Sequence, residues 1–389
     1  MKKMIRAGIA IGVRTMFKNL REKIKRIPLF IKILSLLILL IAFAYLSIVV
    51  TVWPQDYFWV ERENATMPVW VRGNIESNVF VIFNHGGPGS CGTLESIVEV
   101  NPGNGRMDHE SPFKILEDKY AMVYWDQRHA CMSKGSADPN DSRPDDFGQD
   151  LAVVIDELEK RYDVQKIFII GQSWGHTVAV NYLTATDDWR ENQGKIDGYI
   201  IYKGNHDMAM PYEIVKPQIL EYAQQQINNN TDVEHWQEVK TFYEERPTLT
   251  TALDFAEHGL YVFSVMGSPI SLSDRILASV KASLFSPFNG LPVYPNNRRT
   301  NQAEEFMSFI ASDTSMTEVV HRIDIPTLLV YGRKDLMAPV GVGEFIYNEI
   351  DTDEADKTLL ILEQSRHGAE NGDIEILQSA VIEFIETYR

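Results

Sequence analysis

The sequence is poor in cysteine, with only Cys91 and Cys131 among its 389 residues. Two thiols are too few for a disulfide framework or a cysteine-based metal cluster. One bridge between them fits an oxidising compartment, and two small buried residues are the alternative. Internal repeats and low-complexity stretches are absent, and no motif indicates a metal or a cofactor, so neither is expected.

Basic residues are scarce after position 32. Residues 33–389 hold 27 Lys and Arg against 53 Asp and Glu, a formal charge of about −26. Nothing in so acidic a body neutralises phosphates, which excludes nucleic acid as an expected partner. Residues 1–32 are the opposite, with ten basic residues and one acid, and they suit an anionic membrane surface.

A long uncharged run follows this basic arm. Residues 33–52 contain no charged side chain, and twenty residues at helical rise cover the roughly 30 Å core of a bilayer. The basic flank predicts one transmembrane helix over residues 33–53, with the N-terminus cytoplasmic and the rest of the chain extracytoplasmic. A cleaved signal peptide is the alternative because Ala42–Ala44 resembles a cleavage site, but the apolar stretch continues well past it.

Short apolar runs alternate with helical patterns through most of the remaining chain. Eight runs predict strands: Tyr57–Glu61, Pro68–Arg72, Val79–Phe83, Ala121–Trp125, Lys166–Ile170, Ile196–Tyr202, Thr327–Tyr331 and Thr358–Glu363. Between the fourth and the fifth, Leu151, Val154, Ile155 and Leu158 fall on one face of a helix. This alternation predicts an α/β fold, with a mostly parallel sheet flanked by helices on both faces.

Residues 205–320 interrupt the alternation. They contain three helical patterns and no clear strand: Gln218–Gln226, Thr251–Val265 and Asp274–Phe285. We interpret them as a helical cap that is inserted into the sheet domain and shapes the substrate site. The predicted organisation is a basic arm (1–32), a membrane anchor (33–53), a first core part (54–204), the cap (205–320) and a second core part (321–389).

The strongest chemical motif is Gly171-Gln172-Ser173-Trp174-Gly175. It follows a predicted strand directly and opens a predicted helix, His176–Thr184. A sharp strand-to-helix turn lifts a serine hydroxyl clear of the sheet, and the glycines leave room for the strained backbone. The motif therefore predicts Ser173 as a nucleophile, with an ordinary loop serine as the alternative.

A serine nucleophile needs a base, and the base needs an acid that orients it. After this kind of turn, the chain order is serine, acid, histidine. Asp335 and His367 each follow a predicted strand, at the end where sites form in open α/β sheets. We predict a triad of Ser173, Asp335 and His367. His321 precedes its strand and His176 lies inside the helix, which favours His367 as the base.

A glycine-rich turn, His85-Gly86-Gly87-Pro88-Gly89, follows the third predicted strand. Backbone N–H groups exposed in such a turn stabilise a developing oxyanion. We predict Gly87 and Trp174 as the two donors of an oxyanion hole, with His85 and Gly86 as supporting residues. A plain turn is the alternative.

Three segments together resemble the proline iminopeptidase family of α/β-hydrolases: His85–Gly89 (HGGPG), Trp125–Arg128 (WDQR) and Gly171–Gly175 (GQSWG). The resemblance covers about residues 55–205 and 320–389. It implies the α/β-hydrolase fold and the release of an N-terminal residue, typically proline, from a peptide through an acyl-enzyme. Asp126 and Arg128 are expected to pair and to brace the loop near the oxyanion turn.

The sequence departs from the family at two places. His129–Met132 stands where the family has small, glycine-rich residues, and Lys203-Gly204 stands where it has Arg-Gly. The family recognises the free amine of its substrate partly through acidic residues of the cap. Asp207, Glu304 and Glu305 are candidates for that role, with solvated helix faces as the alternative.

The predicted function is that of a serine hydrolase with aminopeptidase-like action on peptide or amide bonds. A carboxylesterase acting on small acyl esters has identical machinery and is the first alternative. A non-catalytic, membrane-anchored binding protein on a hydrolase fold is the second. It predicts a broken triad or a blocked turn, and the sequence has neither. The expected partners are a small peptide, amide or ester substrate and the membrane.

Overall fold

The computed structural model describes residues 28–52, 56–95, 111–135, 144–207, 209–267, 316–370 and 372–389. The chain divides into two compact units, residues 1–54 and residues 55–389. The first unit contains helix α1 (Leu29–Val52), and many of its large apolar side chains are exposed.

Across the described residues, none of the helices has the combination of length and apolar character needed to span a bilayer. This finding does not support the transmembrane helix that the sequence predicts over residues 33–53. Helix α1 begins before that stretch and includes the charged Lys32 in its first turn. Most of the predicted basic arm, residues 1–27, lies outside the described residues.

Nine strands of the described chain form one sheet in the second unit. They are β1 (Tyr57–Arg62), β2 (Ala65–Gly73), β3 (Val79–Asn84), β4 (Ala121–Trp125), β5 (Lys134–Gly135), β6 (Lys166–Gln172), β7 (Gly198–Tyr202), β8 (Thr327–Gly332) and β9 (Lys357–Leu362). Their order is β1-β2-β4-β3-β6-β7-β8-β9, with β5 paired to β2. All neighbours from β4 to β9 are parallel, while β2 pairs antiparallel with β1, β4 and β5. The predicted mostly parallel sheet is confirmed.

Helices cover both faces of this sheet. The helices that the structure describes in the second unit are α2 (Gly92–Glu95), α3 (Pro144–Arg161), α4 (Trp174–Val180), α5 (Trp189–Gly194), α6 (Ala209–Asn228), α7 (Val233–Glu245), α8 (Ala252–Met266), α9 (Val340–Glu349) and α10 (Asp373–Tyr388). Helices α3, α4 and α9 pack on one face and α10 packs on the other, in two separate apolar cores. The four apolar residues that predict one buried face of α3 are all fully buried.

Three of the described helices lie between β7 and β8, where the sequence predicts the inserted cap. Helices α6, α7 and α8 share an apolar core of their own, which includes Tyr212, Trp236, Tyr243 and Val262. Helix α7 is missing from the sequence interpretation, and the predicted helix Asp274–Phe285 lies outside the described residues.

Helix α9 packs so closely on β8 that a methyl group at Gly343 would lie 2.5 Å from the ring of the buried Tyr331. We expect Gly343→Ala to lower the free energy of unfolding by roughly 1–3 kcal/mol, because the strand or the helix must shift. The midpoint of urea unfolding measures this change.

Gly341→Ala is the matched control on the same helix. Its methyl group would meet only the flexible end of Ile214, at 3.1 Å. Alanine also has the better helix propensity, so this midpoint should stay unchanged or rise. Equal losses in the two variants would contradict the packing argument.

Candidate active site

Ser173 stands in a sharp turn between β6 and α4. Its backbone has φ 52° and ψ −121°, a conformation that costs energy for a residue with a side chain. The Ser173 N–H donates to the carbonyl of Tyr202 at 3.0 Å, and the Ser173 carbonyl accepts from the N–H of His176 at 2.9 Å. A side chain at Gly175 would collide with the carbonyl oxygen of Asn84, so the second glycine of the motif lets α4 begin against β3.

His367 and Asp335 meet beyond the carboxyl ends of β9 and β8. The His367 Nδ1 lies 2.7 Å from the Asp335 Oδ2. The other Asp335 oxygen accepts the N–H groups of Met337 at 2.7 Å and Ala338 at 3.0 Å. A carboxylate oxygen only accepts, so this contact favours the tautomer in which Nδ1 carries the hydrogen and Nε2 is the acceptor.

The segment after β9 folds back over the ends of β8 and β7. The Lys203 Nζ donates to the carbonyl of His367 at 2.9 Å, and the Tyr202 hydroxyl accepts the N–H of Ala369 at 2.7 Å. Strand β7 lies next to β6, which leads into Ser173. The structure therefore joins Asp335 to His367 and brings both to the sheet edge at which Ser173 stands.

Arg366 links this histidine segment to the cap. Its guanidinium donates twice to the Glu370 carboxylate, at 2.8 and 2.9 Å. It also donates to the carbonyls of Met266 and Gly267 at the C-terminal end of α8. A cation at the C-terminus of a helix is favourable because several carbonyls there lack helical partners.

The glycine-rich turn lies against Ser173. A methyl group at Gly86 would come within 3.3 Å of the Ser173 Cβ, and Gly87 has φ 136°, which favours glycine. The described contacts bring the turn beside the serine. The assignment of Gly87 and Trp174 as oxyanion donors stays a prediction.

His85 supports this turn as a buried, neutral ring. Its Nδ1 donates to the carbonyl of Gly86 at 2.7 Å, and its Nε2 accepts the N–H of Gln127 at 3.1 Å. The Gln127 amide donates to the His85 carbonyl at 2.9 Å and accepts from the Trp174 indole at 3.0 Å. Sequence reasoning missed Gln127, although it lies inside the WDQR segment.

The predicted pairing of Asp126 with Arg128 is wrong. Asp126 accepts the backbone N–H groups of Thr93 at 2.8 Å and Met132 at 3.0 Å. Arg128 instead donates to both oxygens of Asp150 on α3, at 2.6 and 2.7 Å. Helix α3 supplies a carboxylate to Arg128, while the backbone N–H groups of two neighbouring loops satisfy Asp126. Each braces the loop through its own partner.

A disulfide joins Cys91 to Cys131. Of the two possibilities that the sequence leaves open, the structure has the bridge rather than two separate buried thiols. The bridge ties together the two segments that Asp126 also connects through Thr93 and Met132. Burial raises the pKa of Asp126 to about 7, against the hydrogen bonds from these two segments, which lower it. The loop that follows the glycine turn is thus fixed to the loop after β4.

The other candidates from the sequence have different surroundings. Asp207 accepts the N–H of Ala209 at 2.8 Å at the start of α6, and Glu304 and Glu305 lie outside the described residues. His176 is buried, with its Nδ1 2.6 Å from the Tyr199 hydroxyl, and burial holds its pKa well below the ordinary value. Within the described chain, no group of three or more His, Cys, Asp or Glu residues is arranged to hold a metal ion.

The chain belongs to the alpha/beta hydrolase fold family, whose model matches residues 79–367. It is 22% identical over 315 residues to "Probable aminopeptidase YbaC" of Bacillus subtilis (strain 168), covering 78% of this chain and 88% of that protein. This match agrees with the resemblance to proline iminopeptidases and identifies the chain as an enzyme of the α/β-hydrolase family.

Solved structures share the fold. A proline iminopeptidase from Mycobacterium smegmatis has a TM-score of 0.50 at 13% identity, covering 86% of this chain and 98% of its own. The esterase RhEst1 from Rhodococcus sp. ECU1013 has a TM-score of 0.50 at 15% identity, covering 86% of this chain and 99% of its own. At these identities the likeness establishes the fold alone.

The buried His85 makes stability depend on pH. Burial lowers its pKa to about 4, against the hydrogen bond to Gly86, which raises it. Between this value and the ordinary one of about 6.5, the unfolded chain binds a proton that the folded chain does not. Stability is therefore lost as the pH falls from about 6.5 towards 4, and His85 adds at most about 1.4 kcal/mol per pH unit to this slope.

We expect His85→Gln to reduce the slope of unfolding free energy against pH by an amount that corresponds to at most one bound proton. His321 is exposed, and His321→Gln should leave this slope unchanged. Urea unfolding of the full chain at several pH values between 4.5 and 7.5 measures both slopes. A His85→Gln slope equal to that of the unsubstituted protein would contradict this account of the turn.

Proposed function

We propose that the chain is a serine hydrolase in which Ser173 attacks the substrate carbonyl and forms an acyl-enzyme. His367 takes the Ser173 proton on Nε2 and then gives it to the leaving group, while Asp335 holds the imidazole. The observation that carries the proposal is the 2.7 Å hydrogen bond between buried Asp335 and His367. It lies at the sheet edge where Ser173 occupies a strained strand-to-helix turn.

The negative charge that develops on the substrate oxygen needs donors that are already in position. We assign this role to the backbone N–H groups of Gly87 and Trp174. The contact between Gly86 and Ser173 supports it, because it brings the glycine turn beside the attacking atom. Removing one such donor typically costs about 10²–10³ in rate.

The proposed reaction is aminopeptidase-like hydrolysis, the release of an N-terminal residue from a peptide or amide. Its support is the similarity to "Probable aminopeptidase YbaC" of Bacillus subtilis (strain 168) over 88% of that protein, together with the HGGPG, WDQR and GQSWG segments. Hydrolysis of acyl esters requires the same machinery and is the competing outcome of the substrate test.

Labelling with a fluorophosphonate tests the nucleophile. We expect the full-length protein to be labelled and Ser173→Ala to lose the label. Ser77 lies just before the start of β3, at the opposite end of that strand from the glycine turn, and Ser77→Ala should keep the label. Asp335→Asn should lower kcat by about 10⁴, because the imidazole then takes the wrong tautomer. A folded wild-type protein that stays unlabelled would favour a binding protein on a hydrolase fold.

A substrate panel separates peptidase from esterase. The panel compares prolyl and alanyl arylamides with their acetyl-capped forms and with short aryl esters. We expect cleavage of arylamides with a free amine, and at least tenfold lower kcat/KM for the capped forms. Hydrolysis of the esters alone would contradict the aminopeptidase assignment while leaving Ser173 as nucleophile.

We also propose that the hydrolase domain lies outside the cytoplasm and that the N-terminal segment attaches it to the membrane. The disulfide between Cys91 and Cys131 supports an oxidising compartment. The ten basic residues of positions 1–32 and the exposed apolar side chains of α1 support contact with an anionic membrane.

Cell fractionation with thiol labelling tests this location. We expect the protein in the membrane fraction, with both cysteines unreactive towards a thiol reagent until a reductant is added. A Cys91→Ser variant should expose the Cys131 thiol. Recovery in the cytosolic fraction with two reactive thiols would contradict both parts of the proposal.

A further inference from the structure

The end of β7 contacts the histidine segment through two side chains to which the proposed chemistry gives no role. Lys203 is 5% exposed, and its Nζ lies 2.9 Å from the carbonyl oxygen of His367. Tyr202 is 3% exposed, and its hydroxyl accepts the N–H of Ala369 at 2.7 Å. The segment is thus held at the carbonyl of His367 itself and again two residues later at the N–H of Ala369.

The same two residues also reach the other parts of the proposed site. The carbonyl of Tyr202 accepts the N–H of Ser173 at 3.0 Å. The N–H of Lys203 donates to the carbonyl of Val330 at 2.8 Å, on the strand that leads to Asp335. The end of β7 is therefore bonded to the nucleophile turn, to the strand before the acid and to the segment of the base.

The backbone of Lys203 is strained, which indicates a specific role for this position. It has φ 47°, in the left-handed region that residues with a side chain rarely adopt. Such strain persists only where the surroundings over-determine it, and it clusters at functional sites. A buried ammonium group also needs a strong acceptor, and here the described acceptor is the main chain of His367.

We propose that Lys203 is a positioning residue of the hydrolase site, which fixes His367 through its carbonyl so that Nε2 faces the Ser173 hydroxyl. Tyr202 holds the same segment two residues further along, at the N–H of Ala369. The inference rests on the proposed function, because it names the residue that orients the general base. The physical reason is that proton transfer between two side chains requires a defined geometry, and a displacement of about 1 Å can cost about 10² in rate.

The test compares Lys203→Met with Lys203→Arg. Methionine keeps the length of the stem and loses the donor, so kcat and the fluorophosphonate labelling rate should fall about ten- to hundredfold while KM changes less than threefold. Arginine restores a donor and should recover activity to within about fivefold of the unsubstituted protein. Tyr202→Phe keeps the ring contact with Phe113, centred 5.2 Å away, and should give a smaller loss in kcat.

Lys357→Met is the matched control for removing a buried lysine. Lys357 is 8% exposed at the opposite end of β9, where its Nζ pairs with Glu354 at 2.9 Å. We expect it to lower the urea unfolding midpoint without changing kcat. The midpoint of Lys203→Met, measured alongside, reports any loss of stability separately from the loss of rate.

Three results would overturn the inference. An unchanged kcat in Lys203→Met means that the contact is only structural, and a rise in KM alone means that Lys203 contacts the substrate. Failure of Lys203→Arg to recover activity in a folded protein removes the role of the donor. Retention of the label in Ser173→Ala would instead defeat the proposed function, so the two failures are distinguishable.

Discussion

The parallel register of β3, β6, β7, β8 and β9 brings five chain segments to one edge of the sheet. Parallel strands are joined by crossover connections, so the carboxyl ends of all of them lie at the same edge of the sheet. The glycine turn, the Ser173 turn, Lys203, Asp335 and the His367 segment each follow one of these strands. The hydrogen bonds that define the register therefore also set the spacing of the site, and a slip of one strand would separate its members.

Burial then restricts what each polar group at this edge does. Asp335 has a fully buried side chain and accepts hydrogen bonds from His367, Met337 and Ala338. A buried carboxylate with three donors is costly to disturb, because each lost donor leaves a buried oxygen with an unsatisfied hydrogen bond. His85 has the opposite requirement, since its two ring nitrogens have one donor role and one acceptor role, and burial keeps the ring neutral.

The sequence predicts those features that depend on local pattern. The run Ala121–Trp125 matches β4 at both ends, because a strand buried on both faces is apolar throughout. The predicted strand at Ile196 starts two residues before β7, since Asp197 bonds to the N–H of Ile167 from outside the ladder. The positions of Ser173, Asp335 and His367 after strands are likewise predicted, because each strand before them is an apolar run.

Hydrogen-bond partners that are far apart in the chain cannot be predicted from local sequence patterns. Arg128 pairs with Asp150 rather than with the nearby Asp126, because the pairing depends on how α3 packs against the loop after β4. Lys203 contacts a carbonyl 164 positions later, and backbone carbonyls carry no sequence signal. The only hint at that position is the replacement of Arg-Gly by Lys-Gly.

The cap helices pack on one another, whereas the residues of the proposed triad lie at the edge of the sheet. This difference explains why sequence similarity to other hydrolases indicates the triad more readily than it indicates the substrate. Helices α6, α7 and α8 have their own apolar core, so their outer residues can change without disturbing the sheet. Two of the described contacts that join cap and site are made by Arg366, which holds the end of α8, and by Met337, which packs on the cap core and donates to Asp335. Both residues neighbour members of the proposed triad in the chain. The surface residues of the cap can therefore change while the contacts of Arg366 and Met337 are kept. Such changes alter which substrates enter the site, and the proposed base and acid keep their geometry. In this way one fold can support many activities.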